Sequence, residues 1–121
     1  MKPKVMIIDK DKSFADALAE RLKACDFLTA GITSGAQFFQ ISSQFQPNII
    51  ILSTDLQNPT WAELIERSKQ SSLFKEGMIF ILITREASPG LENQAKLHEI
   101  KKIIVKPVNF KDLVETIDKK T

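Results

Sequence analysis

The sequence predicts an α/β domain built on a five-stranded, doubly wound parallel sheet. Two observations carry that reading. Short β-branched runs alternate five times with helical patterns, and two of the runs, "IIIL" at 49–52 and "MIFILIT" at 78–84, are apolar almost throughout. Strands alternating with helices imply right-handed crossovers and a parallel sheet with helices on both faces. A strand apolar at every position is one buried on both of its faces.

Each element has its own signal. "KVMII" at 4–8 reads as the first strand, and "SFADALAERLKAC" at 13–25 as the first helix. There Phe14, Leu18, Leu22 and Cys25 recur at intervals of four and three, which makes one apolar stripe. Ser13 with Asp16 resembles a capping box. "FLTAGIT" is the second strand, and "GAQFFQISSQF" a helix with Phe38, Ile41 and Phe45 on one side. After the third strand, Asn58-Pro59 reads as an N-cap and first-turn proline opening "TWAELIERSKQ". In that helix Trp61, Leu64, Ile65 and Ser68 share a face, so the tryptophan is expected in the core. Ser88-Pro89 repeats the cap-proline signal before "GLENQAKLHEI", where the lone His98 suits the helix C-terminus. "IIV" is the fifth strand, stopped by Pro107, and Asn109 with Asp112 caps "FKDLVETIDKK".

The totals exclude several classes. A chain of 121 residues, 43% hydrophobic and 26% charged, suits one globular domain over 1–121. A net charge of +2 is too small to argue for nucleic acid without a basic patch. The single cysteine forms no intramolecular disulfide, and on the apolar stripe it reads as a buried small hydrophobe. No apolar run approaches the roughly 20 residues of a membrane helix, and the apolar run near the start is shorter than that of a signal peptide. A cytoplasmic location with no membrane partner is expected.

In doubly wound sheets the functional groups collect beyond the C-terminal ends of the strands. Those ends carry Asp9-Lys10-Asp11, Ser53-Thr54-Asp55, Thr84-Arg85-Glu86 and Lys106-Pro107. The intervals are 44 residues from Asp9 to Ser53, 31 to Thr84 and 22 to Lys106. In order and spacing these motifs resemble the receiver domain of two-component response regulators. The resemblance covers the whole chain and implies the flavodoxin-like fold with strand order 2-1-3-4-5. It also implies that Asp9 stands at a metal-binding acid, Thr84 at the residue that bonds a phosphoryl oxygen, and Lys106 at the lysine that pairs with the phosphoryl group. Pro107 stands at the family's cis proline.

The departures fall on the chemistry. Ser53 occupies the phosphoacceptor position, Lys10 the second acid, and Ile103 the aromatic switch position. Three carboxylates and a lysine give the family site a charge of −2, whereas Asp9, Lys10 and Lys106 leave +1 here. Magnesium requires oxygen ligands in near-octahedral array. An ammonium at about 4 Å repels it by several kcal/mol even at an effective dielectric of ~20. Serine without a base beside it is a poor nucleophile. Magnesium binding is therefore expected to be lost or weak, and no catalytic residue is assigned. Ser53 is expected as a polar filler bonded to Asp9, Lys106 or water. Lys10 is expected to pair with Asp9, Asp11 or Asp55, or to lean into solvent.

The reading that follows is a pseudo-receiver: a phosphorylation-independent protein-interaction module in signal transduction, not an enzyme. One alternative is a working receiver that uses Asp55 as acceptor with magnesium. In that reading a shift of two residues keeps the side chain on its sheet face but moves it about 7 Å along the strand. A second alternative is an unrelated flavodoxin-like domain that binds a ligand at the strand ends. The absence of a glycine-rich phosphate loop counts against it. Phosphorylation of Ser53 by a serine kinase is a third. Partners, or a second copy in a homodimer, are expected on the last two helices and strand five. Lys96, Lys101, Lys102, Lys111, Lys119 and Lys120 are placed there. Nucleic acid is expected only through a separate output domain.

Overall fold

A computed structural model describes residues 3–71 and 77–118. Five parallel strands alternate with five helices: β1 (Lys4–Ile8), α1 (Lys12–Lys23), β2 (Leu28–Ile32), α2 (Gly35–Phe45), β3 (Ile49–Ser53), α3 (Trp61–Gln70), β4 (Ile79–Thr84), α4 (Pro89–Leu97), β5 (Lys102–Val105) and α5 (Phe110–Asp118). The strand order is β2-β1-β3-β4-β5, the flavodoxin-like arrangement. Lys119 and Lys120, assigned from sequence to the last helix, lie outside the described residues.

The period of two in the strands divides the core. Val5, Ile7, Ile49, Ile51, Ile81 and Ile83 face one way and pack against Leu18 and Leu22 of α1 and Leu113 and Ile117 of α5. Met6, Ile8, Ile50, Leu52, Phe80 and Leu82 face the other way, onto Phe38 of α2, Trp61, Leu64 and Ile65 of α3, and Ala95 of α4. Most of these side chains are fully buried. Each contributes roughly 1.5–3 kcal/mol of hydrophobic stabilisation. Cys25 is only half-buried, at the rim of the first cluster, because it follows the end of α1.

The helix starts depart most from the sequence expectations. Asp11, not Ser13, caps α1: its carboxylate accepts the Phe14 N–H at 3.2 Å. Asp16 faces outward and pairs with Lys12. Thr60, not Asn58, caps α3: its hydroxyl accepts the Glu63 N–H at 3.2 Å, and Asn58 adopts a left-handed φ of 54°. Pro59 is buried against α2, where a Cβ on Gly35 would stand 2.7 Å from its Cγ, so that contact requires glycine. Ser88 and Asn109 cap α4 and α5 as expected. The sequence pattern runs α4 to residue 100, but it ends at Leu97 with His98 as C-cap, because Glu99 takes a left-handed φ of 58°.

Thr60 and Glu63 form a reciprocal capping box, with Glu63 Oε1 accepting the Thr60 N–H at 3.0 Å. That backbone bond first, and the Thr60 hydroxyl second, hold the Glu63 carboxyl below the usual glutamate range. A lowered folded-state value means the cap's contribution is present above the ordinary glutamate value and is lost as pH falls through the lowered one. In an NMR titration the Thr60 amide should therefore move with an acid midpoint below the ordinary glutamate value. A midpoint at or above that value contradicts the box.

Candidate functional site

The sheet register assembles the strand ends. Ile8 pairs with Leu52, so the next residues, Asp9 and Ser53, stand side by side at a strand spacing of about 4.8 Å. Both lie on the α1–α5 face, in phase with Ile7 and Ile51. Thr84 pairs with Val105, so Lys106 follows at the end of β5, and its N–H bonds the Thr84 carbonyl at 2.8 Å. The Lys106-Pro107 peptide is cis, in line with the resemblance.

Asp9 is 1% exposed, and each of its carboxylate oxygens has a partner. Lys106 Nζ lies 2.9 Å from one oxygen, and the Asp11 N–H donates to the other at 2.9 Å. The ammonium also sits 4.0 Å from the Phe14 ring centroid, a cation–π contact. Lys10 takes the solvent alternative. It is exposed and makes no hydrogen bond or ion pair among the described residues.

Ser53 is the buried polar side chain expected, but without two of its three expected partners. Its buried hydroxyl bonds neither Asp9 nor Lys106 but accepts the Asp55 N–H at 3.1 Å. The cause is a turn. The Leu56 N–H bonds the Ser53 carbonyl at 3.3 Å, and Leu56 is drawn back into the core. Asp55 is consequently not 7 Å farther along the strand. It lies in the turn, half-buried, with Arg85 Nε at 3.4 Å.

Two loops are thereby joined in register. Ser53 pairs with Ile83, and the two following pairs continue the match: Thr54 with Thr84 through their hydroxyls at 3.0 Å, and Asp55 with Arg85. The Thr54 N–H also bonds the Ile83 carbonyl at 3.0 Å. A hydroxyl has one proton and two lone pairs. Thr84 uses all three, accepting from Thr54 Oγ1 and the Glu86 N–H and donating to the Glu86 carbonyl at 3.1 Å. Sequence reasoning placed Thr54 and Arg85 at the strand ends but missed this pairing, which depends on the β3–β4 register and on the turn after Ser53.

Both Asp9 oxygens have other partners, and among the described residues no group of three or more His, Cys, Asp or Glu side chains is placed to hold a metal. His98 instead pairs with Glu66 at 3.1 Å and meets the buried Trp61 edge-on. On the β5 edge Ile103 is half-buried against the α2–α4 core. Lys102 is held by both carboxylate oxygens of Asp112, at 2.8 and 2.7 Å, and by the Thr116 hydroxyl, whereas Lys111 is exposed. No helix among the described residues is long and apolar enough to cross a membrane.

A family model described as response regulator receiver domain matches residues 5–118. Among solved structures, the chemotaxis response regulator CheY4 of Vibrio cholerae is similar at a TM-score of 0.86 and 19% identity, with all of both chains covered. A CheY-like receiver domain protein from Methanospirillum hungatei gives 0.85 at 22% identity, over 99% of this chain and 94% of that one. A DNA-binding response regulator of the LuxR family from Staphylococcus aureus gives 0.82 at 22%, over 98% of each. Comparison with curated protein sequences gives no match. At these identities the solved structures bear on the fold alone.

Proposed function

Since the chain belongs to the response regulator receiver domain family of two-component signalling, we propose that it is a degenerate receiver. In this reading it is a protein-interaction module that works without aspartyl phosphorylation and without magnesium, and it is not an enzyme. The observation that carries the reading is Ser53 at the acceptor position, buried beside Asp9, with its hydroxyl used to close a turn. Lys106 in turn neutralises Asp9 in place of a metal.

The joined loops support it. Thr84 has no free hydrogen-bonding capacity to offer a phosphoryl oxygen, and Ile103 lacks the ring of the family's switch residue. With no ligand favouring one state over another, no population shift follows. The domain presents one surface. Partners meet it on α4, β5 and α5, where Val105 is an exposed apolar residue on the edge strand and Lys111 an exposed cation with no carboxylate partner among the described residues. Lys102 contributes less charge there than the sequence implies, being matched by Asp112. The Asp55 alternative loses ground, since Asp55 lies in the turn and is paired with Arg85.

The test is incubation of the chain with acetyl phosphate and magnesium, followed by intact mass measurement. No phosphoryl adduct is expected. A stable adduct that disappears in Asp55→Asn establishes the alternative acceptor and overturns the proposal.

A further inference from the structure

An open groove of about 600 Å³ runs along α1, between that helix and the segment after β5. Small-molecule sites occupy about 300–1,000 Å³. Phe14, Leu18 and Val108 give it an apolar lining, three cations (Arg21, Arg85 and Lys106) also line it, and no carboxylate does among the described residues. Phe14, Leu18 and Arg21 follow one another at intervals of four and three, so they share a helix face, with Arg21 about 10 Å beyond Phe14.

The three cations are not equivalent. Lys106 is neutralised by Asp9 and Arg85 by Asp55. Arg21 is exposed, stacks 4.1 Å from the Phe110 ring centroid, and has no carboxylate partner among the described residues. That ring contact uses the face of the cation and leaves guanidinium N–H groups to bind. A guanidinium edge matches a carboxylate through two parallel hydrogen bonds.

We infer that this groove binds a small apolar monocarboxylate, its body lying on Phe14, Leu18 and Val108 and its carboxylate on Arg21. A single uncompensated cation beside an apolar lining selects one negative charge on an apolar body. The site uses residues outside the strand-end cluster for recognition, so it goes beyond the proposed function and does not depend on whether the domain takes a phosphoryl group.

The probe is 2-naphthoate, titrated into the full chain, with 2-naphthalenemethanol as the neutral control of the same shape. Saturable NMR shifts are expected at the Leu18 and Val108 methyl groups. Arg21→Gln, an exposed change between good helix formers, is expected to weaken naphthoate about tenfold or more. The alcohol should bind the parent chain equally weakly. Shifts that do not saturate, that map to other residues, that the alcohol reproduces, or that survive Arg21→Gln overturn the inference.

Discussion

Lys10→Asp combined with Ser53→Asp is expected to turn a chain inert to acetyl phosphate into one that binds magnesium and becomes phosphorylated. Neither change alone should do so. The register places position 53 beside Asp9, and both positions are buried. A carboxylate at 53 retains an acceptor for the Asp55 N–H, so the turn survives. Two buried carboxylates at strand spacing then repel each other, and a dication is the natural counterion. Lys10 is the next residue along from Asp9, so with Ser53→Asp alone the ion still lacks the carboxylate that a second acid at position 10 would supply. The metal supplies several kcal/mol of transition-state stabilisation, so the double variant should exceed either single one by about 100-fold or more in phosphorylation rate. Equal phosphorylation of Ser53→Asp and the double variant, followed by mass spectrometry with a magnesium titration alongside, refutes the role assigned to Lys10.

The fold was legible because its determinants are dense and local. Six strand residues in β3 and β4, from Ile50–Leu52 and Phe80–Leu82, are apolar and buried without interruption, and only a two-faced parallel sheet accommodates them. Cap positions were less legible because several residues compete for one role. Asp11 and Ser13 are both good N-caps, and only the path of the chain leaving β1 decides for Asp11. At Asn58-Pro59-Thr60 the sequence carries two cap signals in a row. The left-handed Asn58 and the seating of Pro59 against Gly35, a contact between elements distant in sequence, give the role to Thr60.

The site divides the same way. Positions at strand ends, such as Asp9, Ser53, Thr84 and Lys106, follow from strand assignment and spacing, and the structure brings Asp9 and Lys106 into contact. Positions past the strands do not follow, since one turn changes every direction. Asp55 is the clear instance. Extrapolating β3 keeps it in line with Ser53, but the Ser53–Leu56 turn carries it to Arg85 instead.

Lys106→Met is expected to destabilise the chain by about 3–5 kcal/mol, the loss seen when one member of a buried ion pair is removed. Domains of this size have a total stability of about 5–15 kcal/mol, so the change is a large fraction of the whole. Asp9 is the reason. It is 1% exposed, and without the ammonium its carboxylate keeps only the Asp11 N–H among its described partners. The reverse change, Asp9→Asn, should cost less. The Lys106 side chain is 18% exposed and lies against Phe14, so its head group retains water and the ring face. Asp9→Asn with Lys106→Met removes both charges together and should recover much of the Lys106→Met loss. Urea unfolding of the four chains gives this double-mutant cycle directly. Additive losses, or a Lys106→Met cost below about 1 kcal/mol, remove the pair as a structural element. The outcome bears on why Lys106 stands where it does in a domain whose acceptor is a serine. If the cycle closes as expected, Asp9 and Lys106 hold β1 and β5 together across the sheet whether or not any phosphoryl group arrives. Losing Lys106 alone then strands the buried Asp9 charge, whereas exposed Lys10 has no such coupling to oppose its replacement.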